Sequence, residues 1–136
     1  MTYKERIPAE ARFIMERLQA AGYEAYLVGG AVRDLILGRQ PGDYDITTNA
    51  LPEETEAVFR DFGTLEIGKA HGTIGVIVDH KAYEVTTYRV DGEYTDHRRP
   101  DAVTFTRSLE QDLERRDFRI NAVAMDLDGN LRGVPG

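Results

Sequence analysis

The chain has 136 residues, 41% of them hydrophobic, enough to bury one modest core in one small domain. It contains no cysteine, which excludes disulfides and thiolate zinc sites. It also has no long apolar run, signal peptide or repeat, so no membrane class is indicated and a cytoplasmic location is expected. A net charge of −7 has the wrong sign for a domain that grips a nucleic-acid backbone alone.

Ile7 to Ala21 reads as an amphipathic helix: Pro8 suits an early position, Ala11, Ile14, Met15 and Leu18 keep helical spacing, and Gly22 stops it. A first strand ends at Val28 and runs into Gly29-Gly30, then an apolar helix from Ala31 to Leu37 that Gly38 terminates. The glycine pair lets backbone approach a ligand, and free N–H groups at a helix start suit a phosphate. Arg33, in the first turn, can fork onto phosphate oxygens or stay in water. After the turn Pro41-Gly42, Asp43 to Thr47 reads as a second strand. Side chains at i and i+2 share a face, so Asp43 and Asp45 stand side by side. That arrangement is unfavourable unless a cation lies between them or a proton is retained, and Mg²⁺ is the natural cation for oxygen ligands. The alternative is a solvated turn.

Pro52 to Phe59 reads as a helix capped by Asn49 or a neighbour, with Glu53, Glu54 and Glu56 on a solvated face. Thr64 to Ile67 alternates weakly. Ile74–Val78 and Ala82–Tyr88 form a hairpin about Asp79-His80-Lys81. Glu84, central in its strand, is either a third acid of a metal cluster or an outward-facing strand residue. Val90 to Pro100 reads as a mobile loop, Val103–Thr106 as a short strand and Leu109–Glu114 as a helical turn. The three histidines lack metal-ligand spacing.

Leu27-Val28-Gly29-Gly30-Ala31-Val32-Arg33-Asp34 and Asp43-Tyr44-Asp45-Ile46-Thr47-Thr48-Asn49-Ala50 resemble the signature of tRNA CCA-adding enzymes and bacterial poly(A) polymerases. These form the class II branch of the polymerase-β-like nucleotidyltransferases. Tyr83 to Arg89, Asp112 to Phe118 and Ile120-Asn121-Ala122 follow in matching order. Two positions depart: Arg119 stands where family members have Thr or Ser, and the tail from Asn130 lacks the usual Asp-Pro-Phe-Gly-Gly.

The resemblance implies an α/β (α+β) head with a small mixed, mostly antiparallel sheet and helices on one face. It implies Mg²⁺-dependent transfer of CMP and AMP from CTP and ATP to an RNA 3′-hydroxyl, the tRNA 3′ end. Asp43 and Asp45 would bind two Mg²⁺ with Glu84 assisting. Gly29, Gly30, Arg33 and Arg116 would hold the triphosphate, and Asp117 and Asn121 would read the ribose. The loop at 90–100 resembles the flexible loop that assists the switch from C to A addition. Residues 1–136 would be the catalytic head alone, without the neck, body and tail domains, and the negative charge is tolerable if RNA is gripped elsewhere. Two alternatives stand: the head of a poly(A) polymerase or A-adding enzyme, and a nucleotide-binding module without turnover. The oligomeric state is left open.

Overall fold

The computed structural model describes residues 7–39, 44–68, 72–91, 103–114 and 123–133. Helix α1 (Ala9–Ala20) follows Pro8, whose carbonyl accepts the Arg12 N–H at 3.0 Å. Its predicted stripe of Ala11, Ile14, Met15 and Leu18 is wholly buried. The helix ends where the Gly22 N–H donates to Gln19 O and the Tyr23 N–H to Leu18 O, both at 2.9 Å, with Gly22 at φ 95°.

Strand β1 (Ala25–Val28), helix α2 (Gly30–Ile36) and strand β2 (Asp45–Thr48) come next, then α3 (Pro52–Val58). Helix α3 is not capped by Asn49, whose Oδ1 accepts the Glu24 N–H at 2.8 Å. Glu54 reaches back instead and accepts the Leu51 N–H at 2.7 Å, with Arg107 3.1 Å away. The Leu51 N–H first, then Arg107, hold the Glu54 carboxyl below its ordinary pKa. Glu54 is therefore a fastening residue and not part of a solvated face.

Strands β3 (Gly63–Gly68), β4 (Thr73–Val78) and β5 (Lys81–Thr87) form the predicted hairpin region. Asp79 and His80 take the left-handed values φ 52° and 67°. A two-residue turn of this kind matches the right-handed twist of the flanking strands. Two short strands, β6 (Arg89–Asp91) and β7 (Val103–Phe105), pair with each other. Val90 and Asp91 thus belong to a strand, and the rest of the expected loop, 92–100, lies outside the described residues. Helix α4 (Leu109–Glu114) has the predicted bounds. Strands β8 (Val123–Met125) and β9 (Leu131–Gly133) were not expected from the sequence.

Among the described residues the main sheet runs β3-β4-β5-β2-β1-β8-β9, with β2–β5 its single parallel pair. One face buries Leu27, Ile46, Val76, Tyr83, Val85 and Met125 beneath α1, α2 and α3. The other carries a smaller cluster in which Leu109 and Leu113 of α4 join Val28, Tyr88 and Ala124. The Tyr88 hydroxyl donates to Glu24 Oε1 at 2.9 Å. Burial first, then the Glu24 charge, push its phenol far above the ordinary value, so it remains a donor. No helix among the described residues is long and apolar enough to cross a membrane.

Arg17 fastens the helical layer. Its guanidinium donates to Val58 O at 2.6 Å and pairs with Asp61 at 3.0 Å. It also lies 5.2–5.8 Å from the ring centres of Phe13, Phe59 and Phe62. Arg17→Ala should cost about 1–3 kcal/mol, the scale of a charged hydrogen bond plus cation–π contact. Arg17→Lys should recover less than half, because an ammonium lacks the planar fork. Thermal melting checks this, and a loss below about 0.5 kcal/mol would mark Arg17 as an ordinary surface residue.

Candidate functional site

The site is set by strand register. Val28 of β1 pairs with Asp45 of β2, and Asp45 pairs in parallel with Glu84 of β5. Neighbouring strands lie about 4.8 Å apart, and lateral partners present their side chains to the same face. Asp45 and Glu84 therefore stand next to each other on the face away from α1 and α3, and both are exposed. No burial cost arises at Glu84: β5 is an interior strand, but the Glu84 side of it is open. What disfavours the pair is the like charge of Asp45.

The glycine turn closes one flank. Gly29 has φ 75° and ψ −145°, a backbone region open to glycine almost alone. Its carbonyl accepts the N–H groups of Val32 at 3.1 Å and Arg33 at 3.3 Å, which starts α2. A Cβ at Gly29 would lie 3.7 Å from Asp45 Oδ2, so this turn runs directly beside the acid. At Gly30 a Cβ would lie 3.6 Å from Arg33 Nη2: the guanidinium reaches back over the turn. Arg33 also pairs with Asp34 at 3.5 Å while its side chain stays half exposed. Backbone, cation and carboxylates thus converge at one end of β1, an arrangement able to take a phosphorylated ligand with a hard cation.

Of the predicted site residues, Gly29, Gly30, Arg33, Asp45 and Glu84 come together. Asp43, Arg116, Asp117 and Asn121 lie outside the described residues, and so do His71 and Arg119. Among the described residues no group of three or more His, Cys, Asp or Glu side chains could hold a metal. A recess of about 450 Å³ lined by Arg12, Glu16, Tyr23, Glu24 and Asp126 lies at the opposite end of β1, beside Ala25, and contains neither Asp45 nor Glu84.

Two anchors escaped the sequence reading. Asp112 is fully buried and accepts the Arg89 N–H at 3.0 Å, tying α4 to the start of β6. Its signal was an acid at apolar helical spacing between Leu109 and Leu113. Strand β8 pairs Ala124 with Val28 and so extends the sheet beside the glycine turn. Its three residues are too short to show a period.

Residues 25–134 match the model of the poly A polymerase head domain family. The CCA-adding enzyme of Geobacillus thermodenitrificans is 57% identical over 122 residues, covering 90% of this chain and 30% of that protein. Among solved structures, the Bacillus stearothermophilus CCA-adding enzyme in complex with CTP is similar with a TM-score of 0.79 at 52% identity, over 91% of this chain and 29% of that one. A tRNA nucleotidyltransferase complexed with a primer tRNA and an incoming ATP analogue is similar with a TM-score of 0.64 at 28% identity, over 90% of this chain and 34% of that one. The chain thus spans about a third of the length of these relatives.

The turn itself can be tested. Gly29→Ala should lower stability by about 1–3 kcal/mol through backbone strain, since the added methyl meets no clash. The check is a lower urea midpoint at unchanged slope. An unaltered midpoint would mean that the turn relaxes without cost.

Proposed function

Since the chain belongs to the poly A polymerase head domain family, we propose that it is the catalytic head of a tRNA CCA-adding nucleotidyltransferase. In this reading it transfers CMP and AMP from CTP and ATP to the 3′-hydroxyl of tRNA with release of pyrophosphate. The observation that carries the proposal is the parallel register that sets Asp45 beside Glu84 on an open face, next to the Gly29-Gly30 turn. The 57% identity to a CCA-adding enzyme supports this over the A-adding and poly(A) alternatives. The primer and ATP-analogue complex of a relative supports a site that takes nucleotide and acceptor together.

The donors fit a hard divalent cation: they are carboxylate oxygens, exposed, with no side chain on the glycine turn to obstruct them. Asp43 and Asp45, with Glu84 assisting, would hold two Mg²⁺. When bound, such ions acidify the acceptor hydroxyl and neutralise charge on the departing pyrophosphate. Gly29, Gly30, Arg33 and Arg116 hold and orient the triphosphate, and Asp117 and Asn121 contact the ribose. Arg33 exchanges its Asp34 partner for phosphate oxygens, a substitution of one anion for another at a half-exposed position. Positioning and charge neutralisation supply the acceleration, with no covalent enzyme intermediate. Residues 1–136 act as the head, while base selection and the grip on tRNA come from outside them. The net charge of −7 supports that division of labour.

Incubating the enzyme that carries this head with Mg²⁺, labelled CTP or ATP, and tRNA lacking its terminus tests the reaction. Asp45→Ala should abolish transfer and Mg²⁺-dependent nucleotide binding while the fold survives. Glu84→Gln should lower transfer by at least roughly tenfold, about 1.4 kcal/mol of transition-state stabilisation. Near-normal turnover in the Asp45 variant would end the metal assignment.

Base selection gives a separate test. No residue assigned here reads a base edge, so the 136-residue chain should bind CTP, ATP, GTP and UTP with affinities within about threefold, under roughly 0.7 kcal/mol. Titration calorimetry at fixed Mg²⁺ measures this. A tenfold preference for CTP and ATP would place base readout in the head.

A further inference from the structure

The open face of the sheet continues beyond Glu84. Gly75 of β4 is the lateral partner of Glu84, and Leu65 of β3 is the partner of Gly75. A Cβ at Gly75 would stand 2.6 Å from Ile67 Cδ1 and 3.4 Å from Leu65 Cβ. The Ile67 side chain therefore lies over the bare backbone of Gly75, and Leu65 stands beside it in the same row as the acids. The β3–β4 register slips between Leu65 and Gly68, so one extra residue bends the strand there. Leu65 and Ile67 remain 48% and 51% exposed. Ile77 lies one row on and packs over Gly63, its Cδ1 3.1 Å from where a Cβ would stand. Together these residues make an apolar shelf along the border of the site.

The occupant follows from what the other flank holds. The β1 side of the acids carries the glycine turn and Arg33, and Leu109 and Leu113 of α4 pack over Val28 and Ala124. On the function proposed above, the triphosphate takes that side. An in-line displacement places attacking and leaving oxygens on opposite sides of the transferred phosphorus. The attacking 3′-hydroxyl then approaches from the β5–β4–β3 side, over the shelf. A single-stranded RNA end brings phosphates, sugars and flat base faces. Among the described residues the shelf itself, Leu65, Ile67 and Ile77, carries no charged or polar group, and the Thr73 and Thr86 hydroxyls in the next row bond to each other at 3.1 Å; a base face packs well on such apolar surface. We infer that Leu65 and Ile67 are the platform for the terminal nucleobase of the acceptor RNA and hold its 3′-hydroxyl over Asp45 and Glu84.

The test pairs a change in the protein with a change in the RNA. A 5′-labelled RNA hairpin with an unpaired 3′ end finishing in two cytidines is titrated with the enzyme that carries this head, Mg²⁺ and CTP at low salt. A matched hairpin has an abasic terminal nucleotide. The wild-type enzyme should bind the intact end at least about fivefold more tightly than the abasic one by fluorescence anisotropy. Leu65→Thr with Ile67→Thr, a pair that preserves strand propensity, should erase that difference and leave Mg²⁺-dependent CTP affinity unchanged. Leu65→Met with Ile67→Val should retain it. A wild-type enzyme that does not distinguish the two ends, or retains neither, overturns the inference, as does a Thr pair that preserves the preference. So does a monomer–dimer equilibrium that the Thr pair abolishes, since a second copy would then be the occupant. Asp45→Ala separates this failure from that of the parent reading: if CTP binding depends on Mg²⁺ and Asp45 while the base preference is absent, the shelf alone is wrong.

Discussion

The parallel pairing of β2 with β5 is the contact on which the rest depends. It joins the first half of the sheet to the hairpin formed by β3, β4 and β5, and several side chains reinforce it. Thr47 Oγ1 donates to Thr86 O at 3.1 Å, the Tyr88 N–H donates to Thr48 O at 2.8 Å, and Thr87 Oγ1 donates to Ala50 O at 2.6 Å. Buried hydroxyls are satisfied here by backbone acceptors, which fixes the register as well as the contact. A slip of one residue would turn Glu84 into the core and Val85 out of it. The same register that protects the core thus places two like charges side by side. The packing of Ile46 and Val85 on the reverse face holds that electrostatically unfavourable arrangement in place.

Polar side chains with little exposure organise the surroundings in a similar way. Thr48 Oγ1 donates to Glu24 O at 2.6 Å and accepts the Ala50 N–H at 3.1 Å, while Asn49 takes the Glu24 N–H. The end of β2 is in this way stitched to the start of β1, opposite the glycine turn. Asp112 does the equivalent for α4. Each residue serves as a local backbone partner where the ladder stops, the use to which short polar side chains are best suited.

Much of this was readable from the residues. The stripe on α1, the turn between β4 and β5 and the glycine stops are local features whose period or turn chemistry survives in one dimension, although the turn is the left-handed pair Asp79-His80, with Lys81, expected in the turn, already in β5. The carboxylate at 45 and the glycine turn were legible because like charges and bare backbone are unusual beside an apolar run. Glu84 was offered as a third acid, and the family resemblance placed it with Asp45, but the register that joins them was not legible, because strand pairing is a long-range outcome of burial on the opposite face. Glu54 was misread because a helix-start acid can either face water or return to its own cap, and the distant Arg107 favours the second. Strands β8 and β9 carry too few residues for periodicity and exist because β1 offers an edge to pair with.

The register slip in β3 has a consequence for colloidal behaviour. This strand is an edge of the sheet, and an edge with exposed leucine and isoleucine is ordinarily a template for adding another strand. The extra residue between Leu65 and Gly68 breaks the even spacing of outward-facing N–H and C=O groups that such a template needs. Glu66, exposed between the two apolar residues, adds a charge that an incoming strand would have to desolvate. The protein can therefore display greasy side chains at its rim without inviting end-to-end growth of the sheet.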